Sequence, residues 1–334
     1  MPPRGISFAA TPRLGQSPYF PALTGLRAVA ALLVFITHTN SFDQHNPSER
    51  WLYAFVHQGH FGVSIFFVLS GFLIASRYSS RIEPTWPWAR QYMQNRVARI
   101  YPLYLLLTTV TFVVGALYPA YDYTAQWQYH SLFEKTLVVF LNVTFLRGFF
   151  YYLCWTGISQ GWSLAVEETF DVFAPLILWT VAGKAQRLVW WTGGLLVTGV
   201  VLGHLFSRYH VGLYGLFASK QFMLEWTFFG RAFEFTSGMA LALLVARQGT
   251  GDKKGATTYG GLAWIVACAL FIATMEQQHT SISPGYLKVL TMNFLLPPGI
   301  CLLLYGLLRE RTGFRRALET KAFDLLGKAP TPFT

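Results

Sequence analysis

The chain has 334 residues, 53% apolar and 17% aromatic, with 12% charged and a formal net charge of +11, where an ordinary soluble domain carries about 25% charged residues. That composition excludes a typical water-soluble enzyme and a disordered chain, and three irregularly spaced cysteines exclude a disulfide scaffold. Surplus positive charge in a soluble protein would point to nucleic acid, but with so few charges the placement of the basic residues decides its meaning.

A bilayer core about 30 Å thick needs about 20 mainly apolar residues in a helix. The first residues carry Pro2, Pro3, Pro12 and Pro18 and read as a flexible leader rather than a cleaved secretory signal, so the first span is retained. Apolar runs follow at 20–39, 60–78, 100–118, 162–182, 188–206, 232–246, 259–275 and 286–308. Two further stretches, 136–153 and 211–229, are interrupted by polar residues and are either crossings or interfacial segments. The fold class is therefore all-α, a polytopic integral-membrane helical bundle of about eight to ten spans. In the ten-span path residues 162–170 begin on the cytosolic face; in the eight-span path they begin on the outer face.

Lys and Arg in short loops set orientation. Arg4, Arg13, Arg27, Arg77, Arg81, Arg90, Arg96, Arg99, Arg247, Lys253, Lys254 and the basic residues after 308 all fall on one face, against Arg50, Lys135 and Lys288 on the other. This predicts a cytosolic N-terminus in the cell membrane, with a leader at 1–19, a transmembrane domain at 20–308 and a basic cytosolic tail at 309–334. The surplus charge becomes a topology signal, and no nucleic-acid partner is needed to explain it. Cys154, Cys268 and Cys301 show no metal spacing, and Asn142-Val143-Thr144, though it spells a glycosylation site, sits in an apolar run.

Ionisable residues within spans are functional-site candidates by default. In the first span Arg27 and His38 are eleven residues apart, which returns them to within about 20° of one helix face and separates them by about 16 Å. The reading is a cation at the cytosolic mouth and an imidazole near the membrane midplane; alternatively Arg27 is a positive-inside anchor and His38 an interhelical hydrogen-bond partner. Gly62, Ser70 and Gly71 make a small-residue patch for close helix packing, with Ser70 also able to orient a reacting group, while His57 and His60 read as solvated loop histidines. Arg96 and Arg99 face the same way and fit either a bidentate phosphate grip or an anchor. Glu167, Glu168 and Asp171 beside an apolar helix are expensive unless paired, so at least one should point into the bundle. Arg231 and Glu234, three apart, fit a local structural pair. Nucleotide loops, zinc-ligand spacings and Gly-x-Ser-x-Gly elbows are absent from the sequence, and no metal is expected.

The Arg27-to-His38 spacing, Gly62-Val63-Ser64-Ile65-Phe66-Phe67-Val68-Leu69-Ser70-Gly71-Phe72, Arg96-Val97-Ala98-Arg99-Ile100-Tyr101-Pro102 and Trp162-Ser163-Leu164-Ala165-Val166-Glu167-Glu168 occur in an order that resembles the membrane-bound acyltransferase type 3 family. The resemblance runs from about Leu23 to Lys328 and includes a later segment, 231–244. It implies an O-acyltransferase moving an acyl group, often acetyl, from cytosolic acyl-CoA as co-substrate, with no bound cofactor, to a hydroxyl of a carbohydrate, glycolipid, cell-wall polymer or small molecule. His38 then corresponds to the catalytic histidine, Glu167 to the recurrent acid, and Arg27, Arg96 and Arg99 to donor-binding arginines; beside the resemblance, the residues themselves suggest Glu167 as the acid that orients His38 and Ser70, Glu168 and Asp171 as supporting groups. Thr169 and Asp171 depart from the Gln and Tyr more usual in the family, and 329–334 stands where another membrane helix usually follows. The rival readings are a proton-coupled transporter, which inverted repeats would favour, and an inactive truncated homologue.

Overall fold

The computed structural model describes residues 19–118, 120, 131–209, 213–248, 255–277 and 284–328. The leader through Pro18, most of the loop before Ser131, Lys253 and Lys254, and the final segment 329–334 lie outside the described residues. Among those described, the regular elements are helices, with one isolated bridge between Phe150 and Leu216. In chain order they are α1 (Pro21–His38), α2 (Arg50–His57), α3 (Phe61–Tyr78), α4 (Trp86–Leu117), α5 (Leu132–Val143), α6 (Gly161–Val181), α7 (Arg187–Tyr209), α8 (Lys220–Trp226), α9 (Phe228–Arg247), α10 (Ala256–Gln277), α11 (Pro284–Leu290), α12 (Leu296–Arg309), α13 (Gly313–Leu318) and α14 (Lys321–Gly327). Local chemistry sets several starts. Proline occupies the first turn of α1 and α4, where its missing N–H costs nothing. Ser131 and Glu134 close a reciprocal capping box on α5.

Seven helical stretches among the described residues are long and apolar enough to cross a membrane. The 21-residue α6, excluded only by its three carboxylates, makes an eighth. Neither interrupted stretch is a crossing of its own. α5 has 12 residues and reaches about 18 Å, short of the bilayer core, and 211–229 resolves into a 3-10 turn at Leu213–Gly215 and the seven-residue α8. Direction agrees with length. Arg96 of α4 meets Asp171 of α6, while two turns further along α4 Tyr104 shares a cluster with Ala165, six residues earlier on α6. The two helices are therefore antiparallel, and the chain between them leaves and returns at the same end.

Contacts divide the chain into two units. Among the described residues the first comprises 19–82, 180–189 and 233–328. Its centre is the crossing of α3 and α9: a Cβ on Gly71 would overlap the Phe235 carbonyl, a Cβ on Gly238 would overlap that of Val68, and the Phe67 and Phe235 rings stack at 4.6 Å. In lipid, where apolar side chains gain nothing by leaving one another's company for the bilayer, such backbone-close packing is what holds helices together. Glu310, just beyond α12, caps α10 from a distance. Its carboxylate accepts from the Thr257 and Thr258 amides at 2.9 and 2.8 Å and from the Thr258 hydroxyl at 2.6 Å. Burial pushes the Glu310 carboxyl up, but those hydrogen bonds outweigh it and hold it below its usual range. After Glu310 the short α13 and α14 pack on the N-terminal half of α1, with the Leu318 backbone against Gly25 and Gly327 against the Thr24 carbonyl.

Among the described residues the second unit comprises 83–179 and 190–232. Here Arg147 is completely buried and donates to the Thr156 carbonyl and, at 2.8 Å, to the Ile158 carbonyl, fixing the loop that leads into α6. Asn142 is equally buried, its amide donating to Val138 O and to the Thr156 hydroxyl at 2.9 Å, so the glycosylation spelling is a packing residue. Trp155, Trp162 and Trp226 meet edge to face, and the buried Arg231 guanidinium lies 6.0 Å from the Trp162 ring centroid.

Candidate active site

α1 ends at His38, where the Thr39 amide donates back to Phe35. The polar residues after it turn the chain away: Asn40 accepts from the Phe42 amide at 3.2 Å, an Asx turn, and donates to the Tyr53 carbonyl at 3.2 Å. This corrects the midplane placement of His38. The 18 residues of α1 span about 27 Å, so its last residue belongs to an end of the span, and only the separation of about 16 Å from Arg27 stands. The exposed His38 ring brings Nδ1 to 2.7 Å from the Val34 carbonyl one turn back. A carbonyl only accepts, so Nδ1 carries the proton and Nε2 is the basic nitrogen, facing away from the helix. Arg27 is half-buried on the stretch of α1 that α13 and α14 cover.

The carboxylate expectation is met in the second unit, on residues other than the one singled out. Asp171 is fully buried and Glu168 nearly so, while Glu167 is half-buried. Arg96 Nε and Nη2 donate to the two Asp171 oxygens at 2.7 and 2.8 Å, a bidentate charge-assisted pair. Arg96 and Arg99 therefore do not form one phosphate grip: the fork of Arg96 is committed to Asp171, and Arg99 is the half-buried member. Glu168 keeps one oxygen without a hydrogen-bond partner among the described residues. Arg27, Ser70, Arg99 and Glu167 are all half-buried, and none is without a partner.

His57 and His60 are not solvated loop residues. They end α2 and the 3-10 turn that joins it to α3, and both are at least half-buried. Around them stands a polar group that sequence spacing does not reveal. Gln58, 3% exposed, donates to Ala54 O and to Glu276 Oε2, each at 3.0 Å. Lys288 lies 3.0 Å from Glu276 Oε1, and His57 Nδ1 3.7 Å from Oε2. Glu276 and Lys288 flank the apolar runs of α10 and α12, so in the sequence they read as ordinary end charges; only the fold brings them to Gln58, 218 positions away. Among the described residues no group of three His, Cys, Asp or Glu side chains could hold a metal.

Comparison with known proteins matches the acyltransferase domain family model to residues 20–329. The chain is 28% identical over 178 residues to the O-acetyltransferase OatA of Staphylococcus aureus strain NCTC 8325, a match covering 48% of this chain and 25% of that protein. It is 26% identical over 203 residues to the putative O-acetyltransferase SACOL0978 of S. aureus strain COL, covering 55% of this chain and 30% of the relative. The chain thus spans under a third of the length of these relatives. No solved structure matches it. A match over nearly the whole chain, on a helical scaffold with seven stretches long and apolar enough to cross a membrane, places this protein in the acyltransferase 3 family.

Proposed function

We propose that the chain transfers an acyl group, acetyl in the first instance, from cytosolic acyl-CoA to a hydroxyl of a carbohydrate or a related envelope molecule, in the cell membrane with its N-terminus cytosolic. The observation that carries this reading is the His38 ring, whose Nδ1–H is tied to Val34 O and whose Nε2 is left as a general base. Nε2 takes the acceptor hydroxyl proton as that oxygen attacks the thioester carbonyl carbon. The C–S bond breaks and the proton passes to the departing thiolate, giving an ester and free CoA. A backbone carbonyl fixes the tautomer, so an acid is not required for that purpose. Glu167 is assigned to the reaction on the strength of the resemblance, with Glu167→Gln as its test.

The anionic donor is met by Arg27, eleven residues before His38 on α1, and Arg99 is assigned to the donor on the strength of the resemblance. The rise of about 16 Å from Arg27 to His38 is then covered by the donor's flexible arm. Labelled acetyl-CoA supplied to membranes containing the full chain tests the proposal: His38→Ala should lower transfer about 10²–10⁴-fold. Undiminished transfer by His38→Ala would overturn the assignment. Arg99→Ala should raise the KM for acetyl-CoA with little effect on kcat; a fall in kcat alone would remove the phosphate role.

A further inference from the structure

His60 Nδ1 lies 2.5 Å from the His57 carbonyl, which can only accept, so Nδ1 is protonated and Nε2 is the acceptor. That Nε2 is buried with no hydrogen-bond partner among the described residues. The same holds next door at Gln58. Its amide nitrogen is fixed by two groups that can only accept, Ala54 O and Glu276 Oε2, which turns Oε1 the other way, buried and unpartnered. The two bare acceptors are two residues apart, beside His57 Nδ1, which is likewise without a hydrogen-bond partner among the described residues and lies 3.7 Å from Glu276 Oε2, and an unmade hydrogen bond is costly where polar groups cannot reach bulk water.

Their place is the His38 end of α1. Thr37 donates to Val56 O at 3.1 Å, Leu33 O and Thr37 Oγ1 lie against Gly59, and the Val34 side chain lies against Gly62. The residues flanking His60 are thus seated on the same two turns of α1 that carry His38. Glu276, satisfied by Gln58 and Lys288, offers this place no unspent charge.

We propose that Gln58 Oε1 and His60 Nε2 form a subsite that receives hydroxyl groups of a polyhydroxylated acceptor, such as a pyranoside; this rests on the acyl-transfer reading above. Both atoms accept, as does His38 Nε2, so the fitting ligand must bring several O–H donors. A thioester group brings none and the donor's arm only two amide N–H groups and one hydroxyl along its whole length, whereas a sugar brings one on nearly every ring carbon. A hydrophobic site rejects a hydroxyl weakly, but a site with acceptors already in place rejects a ligand that lacks one strongly.

The test uses the full chain in lipid nanodiscs with nitrogen-labelled histidine, and chitotetraose, cellotetraose and glycerol as probes. At least one sugar should shift the His60 Nε2 resonance saturably and also be acetylated from acetyl-CoA. His60→Asn keeps an amide at the Nδ1 position and loses the Nε2 acceptor, so the KM for that sugar should rise about tenfold, the loss of one good hydrogen bond. His60→Gln, which returns a polar atom to the Nε2 position, should raise it less than about threefold, and the KM for acetyl-CoA should hold in both variants. No saturable shift with any probe, or an unchanged sugar KM in His60→Asn, overturns the subsite. A shift without acetyl transfer by the wild type leaves the subsite standing and removes the acyl-transfer reading, and transfer without a shift does the reverse.

Discussion

Arg96 and Asp171 in the second unit and Gln58 and His60 in the first are both buried polar groups of a membrane helix bundle, and they are finished differently. The ion pair closes on itself, with two parallel hydrogen bonds at 2.7 and 2.8 Å. The Gln58 and His60 group spends its donors on Ala54, Glu276 and the His57 carbonyl and leaves two acceptors bare. A closed pair holds helices in register and has its charges neutralised by each other. A group with bare acceptors contributes less to the fold, because an unmade buried hydrogen bond costs about 1–3 kcal/mol, and it has binding capacity in reserve. Burial of charge alone does not mark a site, and neither does a bare atom alone, since Asn142 Oδ1 and Arg147 Nε are bare within packed surroundings.

That contrast can be broken most directly at the pair. Asp171→Ala should lower stability by about 3–5 kcal/mol, because it strands a buried guanidinium, as read by thermal or denaturant unfolding of the detergent-solubilised protein. The double variant Arg96→Met with Asp171→Leu should recover most of that loss; no recovery would mean that Asp171 holds more than Arg96. Next in size, Gly71→Val drives a side chain into the Phe235 carbonyl and should cost about 1–3 kcal/mol, the usual range for overpacking.

Glu310 gives a smaller effect with a defined sign. Its carboxyl is held below its usual value, so its contribution is fully present above the unfolded carboxylate pKa of about 4.3 and is lost as pH falls through the lower folded value. Glu310→Gln should cost about 1–2 kcal/mol at pH 7, and the gap to wild type in unfolding temperature should narrow on acidification below about pH 4. A gap that widens would reverse the sign of the linkage. Smallest of all, His60→Asn should change stability by about 1 kcal/mol or less, since it keeps the hydrogen bond to the His57 carbonyl and loses ring contacts with His57 and Phe61. A loss comparable to Asp171→Ala would put His60 in the same structural class as the ion pair.

Much of this was legible in the sequence. The long apolar runs become helices because hydropathy over about 20 residues needs no tertiary information, and the Gly71 patch announced a close crossing through its composition. The Arg27-to-His38 spacing fixed their separation, since rise per residue is a constant of the helix. It did not fix depth: α1 stops at His38 because Asn40 turns the chain, and a ruler along a helix says nothing of where its end lies. The acids of α6 were flagged as a group, but periodicity could not rank them. Asp171 is the buried one because Arg96 lies opposite it on α4, 75 positions earlier.

The sequence by itself thus determined the class of molecule, the family and the helices, and supplied the residue types put forward for the chemistry, all of which depend on local composition and ordered motifs. Tertiary structure alone decided which cation meets which acid, that 136–153 turns back instead of crossing, and that Gln58 and His60 keep bare acceptors beside the end of α1. Each of these depends on which partners arrive from distant parts of the chain, and a hydrogen bond left unmade is visible only when every neighbour has been placed.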